Sequence, residues 1–371
     1  MRDDAKPSDD GAPAAGDGPA GDGEVRRSGR VRTGPARVTI KDVAERAGVT
    51  KATVSKYLNR AHGYAMAPST RERIRAAIQD LDFQPNPLAR GLTRSATTTI
   101  GLVVADIRSQ FYPELVHSIQ VATEGAGYTL VLGSSGDDPA RELDIVRSMA
   151  HRRVDGVVLV AVRSASDNIE YLRQRGIQIV LASRDLPELV ADTVVVDSLA
   201  GARAAVRHLR DLGHRRIAHV GGELTVKPFA DRRRGFELET ADLAGRAELP
   251  AATAASTIEG GRAATRGLLD VERPPTAIFF ATDTMALGGL MACADLGLEV
   301  PRDVSIAGFD NVTVGELPGI GLTTVDSDAA RVGEQATELL LRRVLGSGDA
   351  DPVLITRPAE LVVRTSTAPP R

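Results

Sequence analysis

The 371-residue chain has no tryptophan, and aromatic residues make up only 3% of it. That removes the strongest platform for stacking a planar ligand and leaves Phe and Tyr for the purpose. A single cysteine, Cys293, excludes an internal disulfide framework and fits a reducing cytoplasm, the compartment expected for the protein. Cys293 lies in MALGGLMACADLG, which reads as a packed helix, so the expectation is buried filler and not a nucleophile. No apolar run reaches the roughly 18 residues of a membrane-spanning helix, and the polar, acidic N-terminus lacks a hydrophobic signal core. No membrane partner is therefore expected. Catalytic motifs are missing as well. There is no G-x-x-x-x-G-K-[ST], and Gly221-Gly222 lacks the spacing of a dinucleotide loop. The six histidines are scattered, none at metal-ligand spacing, and no nucleophile elbow is present. His214, in DLGHRRIAHVGG, reads as a structural residue in the turn before a strand. The expectation is a protein that is not an enzyme and holds neither metal nor cofactor. An enzyme would require a cleft-bound ligand that reacts.

The formal net charge of −3 conceals a polarised distribution. Residues 36–95 hold 11 Lys/Arg against 5 Asp/Glu, a net of +6. Residues 1–35 hold 6 against 7, and the remainder holds 29 against 37, a net of −8. A positive module on an acidic body suits a protein that meets phosphates with one end only. Residues 1–35, rich in Gly, Ala, Pro, Asp and Arg, lack the large apolar side chains that ordering requires and read as a disordered tail. Its Arg26, Arg27, Arg30 and Arg32 are either loose phosphate contacts or simply solvated.

Within the positive module, Val38–Asn59 reads as two short helices and a tight turn. Thr39 and Asp42 form a capping-box pattern, and Gly48 stands where a left-handed residue ends the first helix. Val49 plugs the corner, and Thr50 caps a second helix, Lys51–Leu58. Val54 and Leu58 share one side of it, while Lys51, Ala52, Ser55 and Lys56 face outward. A short helix showing small and basic side chains suits the floor of a DNA major groove. A third helix, from about Pro68 to Leu81, carries an apolar stripe of Ile74, Ala77, Ile78 and Leu81. It closes a three-helix core on Val43 and Val54. Spacing alone also fits an ordinary helical hairpin. The residues Asp42-Val43-Ala44, Ala47-Gly48-Val49-Thr50, Thr53-Val54-Ser55 and Leu58-Asn59 closely resemble the DNA-binding signature of the lac repressor/Gal repressor family.

That resemblance extends to Pro85-Asn86-Pro87-Leu88-Ala89-Arg90-Gly91-Leu92. As residues these form an interdomain linker able to make one or two unstable helical turns. The resemblance implies a hinge helix over residues 85–97 that folds when two copies meet on DNA. Ala89 and Arg90 would lie against the duplex, and Leu92 would wedge into a base step from the minor groove. It also implies that Lys51, Ala52 and Lys56 read bases while Thr50, Thr53, Ser55 and Asn59 position the backbone. A homodimer on a pseudo-palindromic operator follows, because one such helix reads only a few base pairs. The chain ends VRTSTAPPR without a leucine-heptad helix, so dimer is expected over tetramer.

From Thr99 the pattern changes to β-branched apolar runs alternating with amphipathic stretches, which means doubly wound parallel sheet. There are more strands than one compact sheet of this type needs, so two lobes are expected. The resemblance implies an α/β effector core of the periplasmic-binding-protein type behind an all-α helix-turn-helix domain at residues 36–84. In that layout the core spans residues 98–366. Lobe one is about 98–196 plus 325–346, and lobe two is about 197–324 plus 353–366.

Ligands of open α/β sheets sit at the carboxyl ends of strands. The residues there are Phe111 and Tyr112, Arg184, the run Asp231-Arg232-Arg233-Arg234, Thr282-Asp283 and Asp310. The resemblance points Arg232 into the cleft, gives Asp310 the role of hydrogen-bond acceptor and Thr282 that of a polar contact. For Asp283, capping the next helix is the expectation. Phe111 and Tyr112 either stack on a ligand or, for Phe111, pack under the helix. Such a cleft suits a small polar effector, a sugar or sugar derivative, with a nucleobase or sugar phosphate as alternatives. The function implied is that of a ligand-controlled repressor. The competing reading is a sugar-binding or transport component, which would require secretion.

Overall fold

The computed structural model describes residues 38–58, 66–83, 97–160, 165–186, 188–243, 250–348 and 351–371. Contacts divide the chain into two compact units at residue 85. The expected tail lies outside the described residues, as do Asn59 and the hinge positions Ala89, Arg90 and Leu92.

The first unit holds α1 (Ile40–Ala47), α2 (Lys51–Leu58) and α3 (Pro68–Asp80). One Asp42 carboxylate oxygen accepts both the Thr39 N–H and the Thr39 hydroxyl at 2.7 Å. Gly48 ends α1 at φ +61°, in the left-handed region that a side chain disfavours. Val43, Val54 and Ile74 are wholly buried between the helices, with Ala44, Ala47, Ala77 and Phe83 around them. The Arg46–Asp80 ion pair at 2.7 Å links α1 to the end of α3, but both side chains are more than half exposed. Its contribution is therefore about 0–1 kcal/mol, and the apolar seam holds the unit together.

The second unit contains two parallel sheets. The first has six strands: β1 (Thr99–Val104), β2 (Thr129–Ser134), β3 (Gly156–Val160), β4 (Gln178–Ala182), β5 (Asp192–Val196) and, from late in the chain, β11 (Leu354–Arg357). Their order is β11-β5-β4-β3-β1-β2. Period-two alternation sends Ile100, Leu102 and Val104 to one face, where α4 (Tyr112–Gly125) and α11 (Ala329–Val344) cover them. Val103, Val157, Leu159 and Leu181 pack on the other face against α5 (Pro139–His151) and α6 (Ala165–Arg173). The second sheet has the order β7-β6-β8-β9, with β6 (Ile217–Gly221), β7 (Ala251–Thr253), β8 (Ala277–Phe280) and β9 (Ser305–Ala307). On it, α7 (Ser198–Asp211) and α8 (Lys227–Thr240) cover one face, and α9 (Ile258–Leu269) and α10 (Asp283–Asp295) the other. An antiparallel pair, β10 (Thr324–Asp326) with β12 (Glu360–Val362), lies against α7.

One expected boundary is corrected. The family resemblance places 353–366 in lobe two, but the first part of that segment is β11, which pairs in parallel with β5 of the first sheet. Only β12 onward belongs with lobe two. The cause is a long-range contact: α11 ends at the amino edge of the first sheet, where Arg343 pairs with Asp192 at 2.6 Å and Asp192 accepts the Val353 N–H at 2.8 Å. The chain therefore extends that sheet before it crosses.

Three chain passages join the lobes, following β5, β10 and β11. They converge on Gly201 of α7, where a Cβ would lie 2.8 Å from Ala359 and Val325 and 2.9 Å from Phe309. Gly201→Ala should cost about 1–3 kcal/mol through overpacking in this junction. Urea unfolding checks this, and an unchanged midpoint would show that the passages yield freely.

Candidate effector cleft and DNA-reading surface

The candidate cleft centres on Arg232, carried inward on α8. Its guanidinium stacks over the Phe309 ring at 3.6 Å, donates to the Ala281 carbonyl, and pairs with an Asp310 oxygen at 3.4 Å. Both side chains are over nine-tenths buried. Asp310 occupies φ +118°, which few non-glycine residues adopt. Its backbone fixes it there: its N–H donates to Val325 O at 2.8 Å, and its carbonyl accepts from Ser327 Oγ at 3.2 Å. Burial pushes the Asp310 carboxyl up to about 7, opposed by Arg232 and reinforced by Asp283. Burial likewise pulls the Arg232 guanidinium below its ordinary value, with Asp310 acting against the shift.

Asp283 does not cap the next helix. Thr282 is the N-cap of α10 and accepts the Met285 N–H at 3.3 Å. Asp283 is the first residue of α10 and is wholly buried. Its oxygens accept from the Thr324 hydroxyl at 2.6 Å and the Val312 N–H at 2.9 Å, fastening α10 to the chain beyond β9. Burial raises it to about 6. The Thr282 hydroxyl also shares a 3.3 Å hydrogen bond with Ser256, so its polar capacity is largely used within the protein.

From lobe one, the Tyr112 ring is buried in the core, edge-on to Phe111 with centroids 5.3 Å apart. Stacking a ligand on the Tyr112 face is therefore excluded, because the core occupies that face. Burial pushes its hydroxyl up to about 12. Arg184 acts against that shift, and Asp137, Asp310 and Asp106 add to it. The structure thus brings Tyr112 and Arg184 of lobe one into the electrostatic neighbourhood of Asp310 in lobe two. Phe111, partly buried, packs against the same core. Across the lobes, Lys227 pairs with Asp185 at 3.4 Å while also holding Asp231 at 2.7 Å. Two buried polar atoms here have no hydrogen-bond partner among the described residues: Arg232 Nε and the hydroxyl of Ser183, which sits at φ +63°.

Sequence reasoning misses Asp185, Lys227, Ser183 and Phe309. Ser183, Asp185 and Phe309 carry a usable signal, since they flank Arg184 and Asp310 just past a strand; Lys227 does not.

In the first unit, Lys51, Ala52 and Lys56 are exposed on α2, and Thr53 and Ser55 are half-buried. The Thr50 and Thr53 hydroxyls bond to each other at 2.8 Å, and Thr50 Oγ1 accepts the Thr53 N–H at 3.2 Å. The start of α2 is thereby capped.

The buried carboxylates set a pH dependence. A carboxyl whose folded value is raised binds its proton more tightly when folded. Stability therefore falls as pH rises from about 4, the unfolded range, through about 7 for Asp310. Asp310→Asn cannot ionise, so its stability relative to the parent should rise across that interval. Denaturant midpoints at pH 5 and pH 8 check this; a constant difference would place Asp310 in an ordinary environment.

Two family models match the chain: "Bacterial regulatory proteins, lacI family" over residues 39–86 and "Periplasmic binding protein-like domain" over residues 206–367. Catabolite control protein A of Priestia megaterium is 33% identical over 337 residues, covering 89% of this chain and 99% of that protein. Among solved structures, the transcriptional regulator CelR in complex with cellobiose is 30% identical, with a TM-score of 0.66 over 89% of this chain and 100% of that one. The lac repressor dimer bound to operator and the anti-inducer ONPF is 25% identical, with a TM-score of 0.79 over 89% of this chain and 99% of that one. Among the described residues, no helix is long and apolar enough to cross a membrane. The helix-turn-helix unit, the two-lobed α/β body and these similarities together establish that the chain belongs to the lacI family of bacterial DNA-binding transcriptional regulators, which are not enzymes.

Proposed function

We propose that this regulator is a homodimeric repressor whose operator affinity is set by a sugar-like effector held between the two lobes. The observation that carries the reading is the buried Arg232–Asp310 pair, with N–H donors beside a carboxylate acceptor. A vicinal diol fits such a pair: one hydroxyl accepts from the guanidinium and its neighbour donates to the carboxylate. Arg232 Nε, buried without a partner, adds a donor at the same place. The relative solved with cellobiose supports a saccharide as the ligand class. Arg184 and the Tyr112 hydroxyl would complete the lobe-one side, and Phe111 would border it. Thr282 would act through its cap.

On DNA, Lys51 and Lys56 would donate to guanine edges and Ala52 would meet a thymine methyl. Thr50, Thr53, Ser55 and Asn59 would hold the phosphates. Ala89, Arg90 and Leu92 of the linker would engage the minor groove between two protomers. Ligand-driven movement of the lobes would change how the two linkers approach each other.

The test has two arms. In a thermal-shift screen of cellobiose, other saccharides and nucleobases, a saccharide should raise the melting temperature by mass action. Arg232→Ala should abolish that shift and the ligand response while leaving DNA affinity intact, since Asp310 can then take up a proton. Loss of both would count against Arg232 as an effector residue. Lys51→Ala and Lys56→Ala should each cost about 1–3 kcal/mol of discrimination between the selected operator and random duplex. Equal losses on both duplexes would assign these lysines to phosphates instead.

A further inference from the structure

One basic surface belongs neither to the reading helix nor to the effector cleft. It lies at the amino edge of the six-stranded sheet, opposite the cleft, where the linker joins the body. Thr97, the first described residue after the linker, bonds to Asp155 through its N–H at 2.7 Å and donates its hydroxyl to Arg153 O at 2.7 Å. Beside this anchor is a cavity of about 490 Å³ whose lining includes Arg153, Asp155, Arg175, Gln178 and Arg343. Asp155 accepts from Thr97 and Thr99, and Arg343 is paired with Asp192. Arg153 and Arg175 have no ion-pair partner among the described residues, and both are exposed. Arg175 lies flat on the Tyr171 ring at 3.6 Å and donates to Tyr171 O at 3.0 Å, which holds its guanidinium in place.

Arg153 also carries a conformational signal. It ends α5 at φ +57°, in the left-handed region. The neighbouring helices α4, α6 and α11 end on glycine at this position: Gly127, Gly176 and Gly346, at φ +81°, +69° and +72°. A cation near a helix carboxyl terminus favours the dipole, but Arg152 already supplies one in the preceding residue. The dipole does not explain an arginine in the one position where glycine is unstrained. The rest of the body is acidic, so a general positive surface does not explain it either.

We propose that Arg153 and Arg175, at the root of the linker, bind backbone phosphates of the duplex held by the helix-turn-helix unit. This sequence-independent contact rests on the DNA-binding reading. Residues 84–96 can span at most about 45 Å, so this surface is covalently tethered to the unit that reads DNA. Guanidinium groups on a preorganised surface suit phosphate oxygens.

The experiment measures affinity for a long duplex of random sequence against KCl concentration, using full-length parent, Arg153→Gly, Arg175→Gln and the double variant. The slope of log K against log salt should become shallower by about 0.9 for each phosphate no longer neutralised. Arg153→Gly should keep or raise the melting temperature, because glycine relieves the left-handed residue. That result separates a weakened grip on DNA from a failure to fold. Variants that match the parent in slope and affinity overturn the inference alone. A parent that binds no duplex overturns the DNA reading and the inference together. Inorganic phosphate or pyrophosphate that stabilises the parent but not the double variant, with DNA slopes unchanged, assigns the cavity to a small anion and overturns the phosphate-backbone contact.

Discussion

The Arg232–Asp310 pair is the constraint on which the arrangement of buried charge between the lobes depends. Removing two charges from water costs several kcal/mol per ion, and the attraction between them recovers that only with good geometry and further hydrogen bonds. Here the guanidinium is held by the Phe309 ring and the Ala281 carbonyl as well as by the carboxylate. The carboxylate in turn stands on a backbone tied to Val325 and Ser327, at the passage between lobes. The pair thus joins α8, the end of β8, the residues after β9 and a crossover. A ligand that competes for either partner alters the support of that crossover, not merely one side chain.

The neighbouring Asp283 makes the arrangement more demanding. Two carboxyls are buried close together but only Asp310 pairs with the guanidinium; each is raised by burial, with the Asp283 charge adding to the shift at Asp310. Asp283 is held through the Thr324 hydroxyl and backbone N–H groups. It works as a fastener for the chain after β9. Asp310 has fewer hydrogen bonds to its carboxyl, with Arg232 as its side-chain partner. Asp283 is the more completely buried of the two yet is raised less, because more hydrogen bonds stabilise its charged form while Asp310 also faces the Asp283 charge.

These roles explain which features are legible in the sequence and which are not. The helix-turn-helix is legible because cap, glycine corner and buried valines lie within one short stretch, and Thr39, Asp42, Gly48 and Val54 all take the positions their chemistry requires. The central strands are legible because strands buried on both faces carry dense β-branched runs. Asp283 is not, because sequence shows an aspartate after a strand but not the Thr324 hydroxyl, 41 residues away, that claims it. The Tyr112 ring escapes sequence reasoning for a similar reason. Its burial is decided by α11, far along the chain, which closes over α4. The division of 353–366 depends on Asp192 capturing Val353, a contact across 161 residues that no local pattern encodes. Lys227–Asp185 belongs to the same class, since each residue looks like an ordinary surface charge until the lobes place them together.

The positions of the two ends of β1 bear on how such a body can transmit a signal. At its amino end the strand is anchored through Thr97 and Thr99 to Asp155, where the linker arrives. At its carboxyl end it leads to Asp106 and Tyr112, beside the cleft. The strand spans about 20 Å, paired in parallel with β2 along its whole length and with β3 over Ile100–Val103. A strand held in this way neither stretches nor slips by a fraction of a residue, since register is fixed by the two faces it buries. A change at the cleft therefore reaches the linker root as rotation of the whole sheet and not as deformation within it. Among the described residues, the three crossovers are the only chain connections between the lobes, and at Gly201 they pack without an intervening side chain. The geometry confines movement to the junction between lobes and keeps the linker root rigid with respect to the lobe-one side of the cleft.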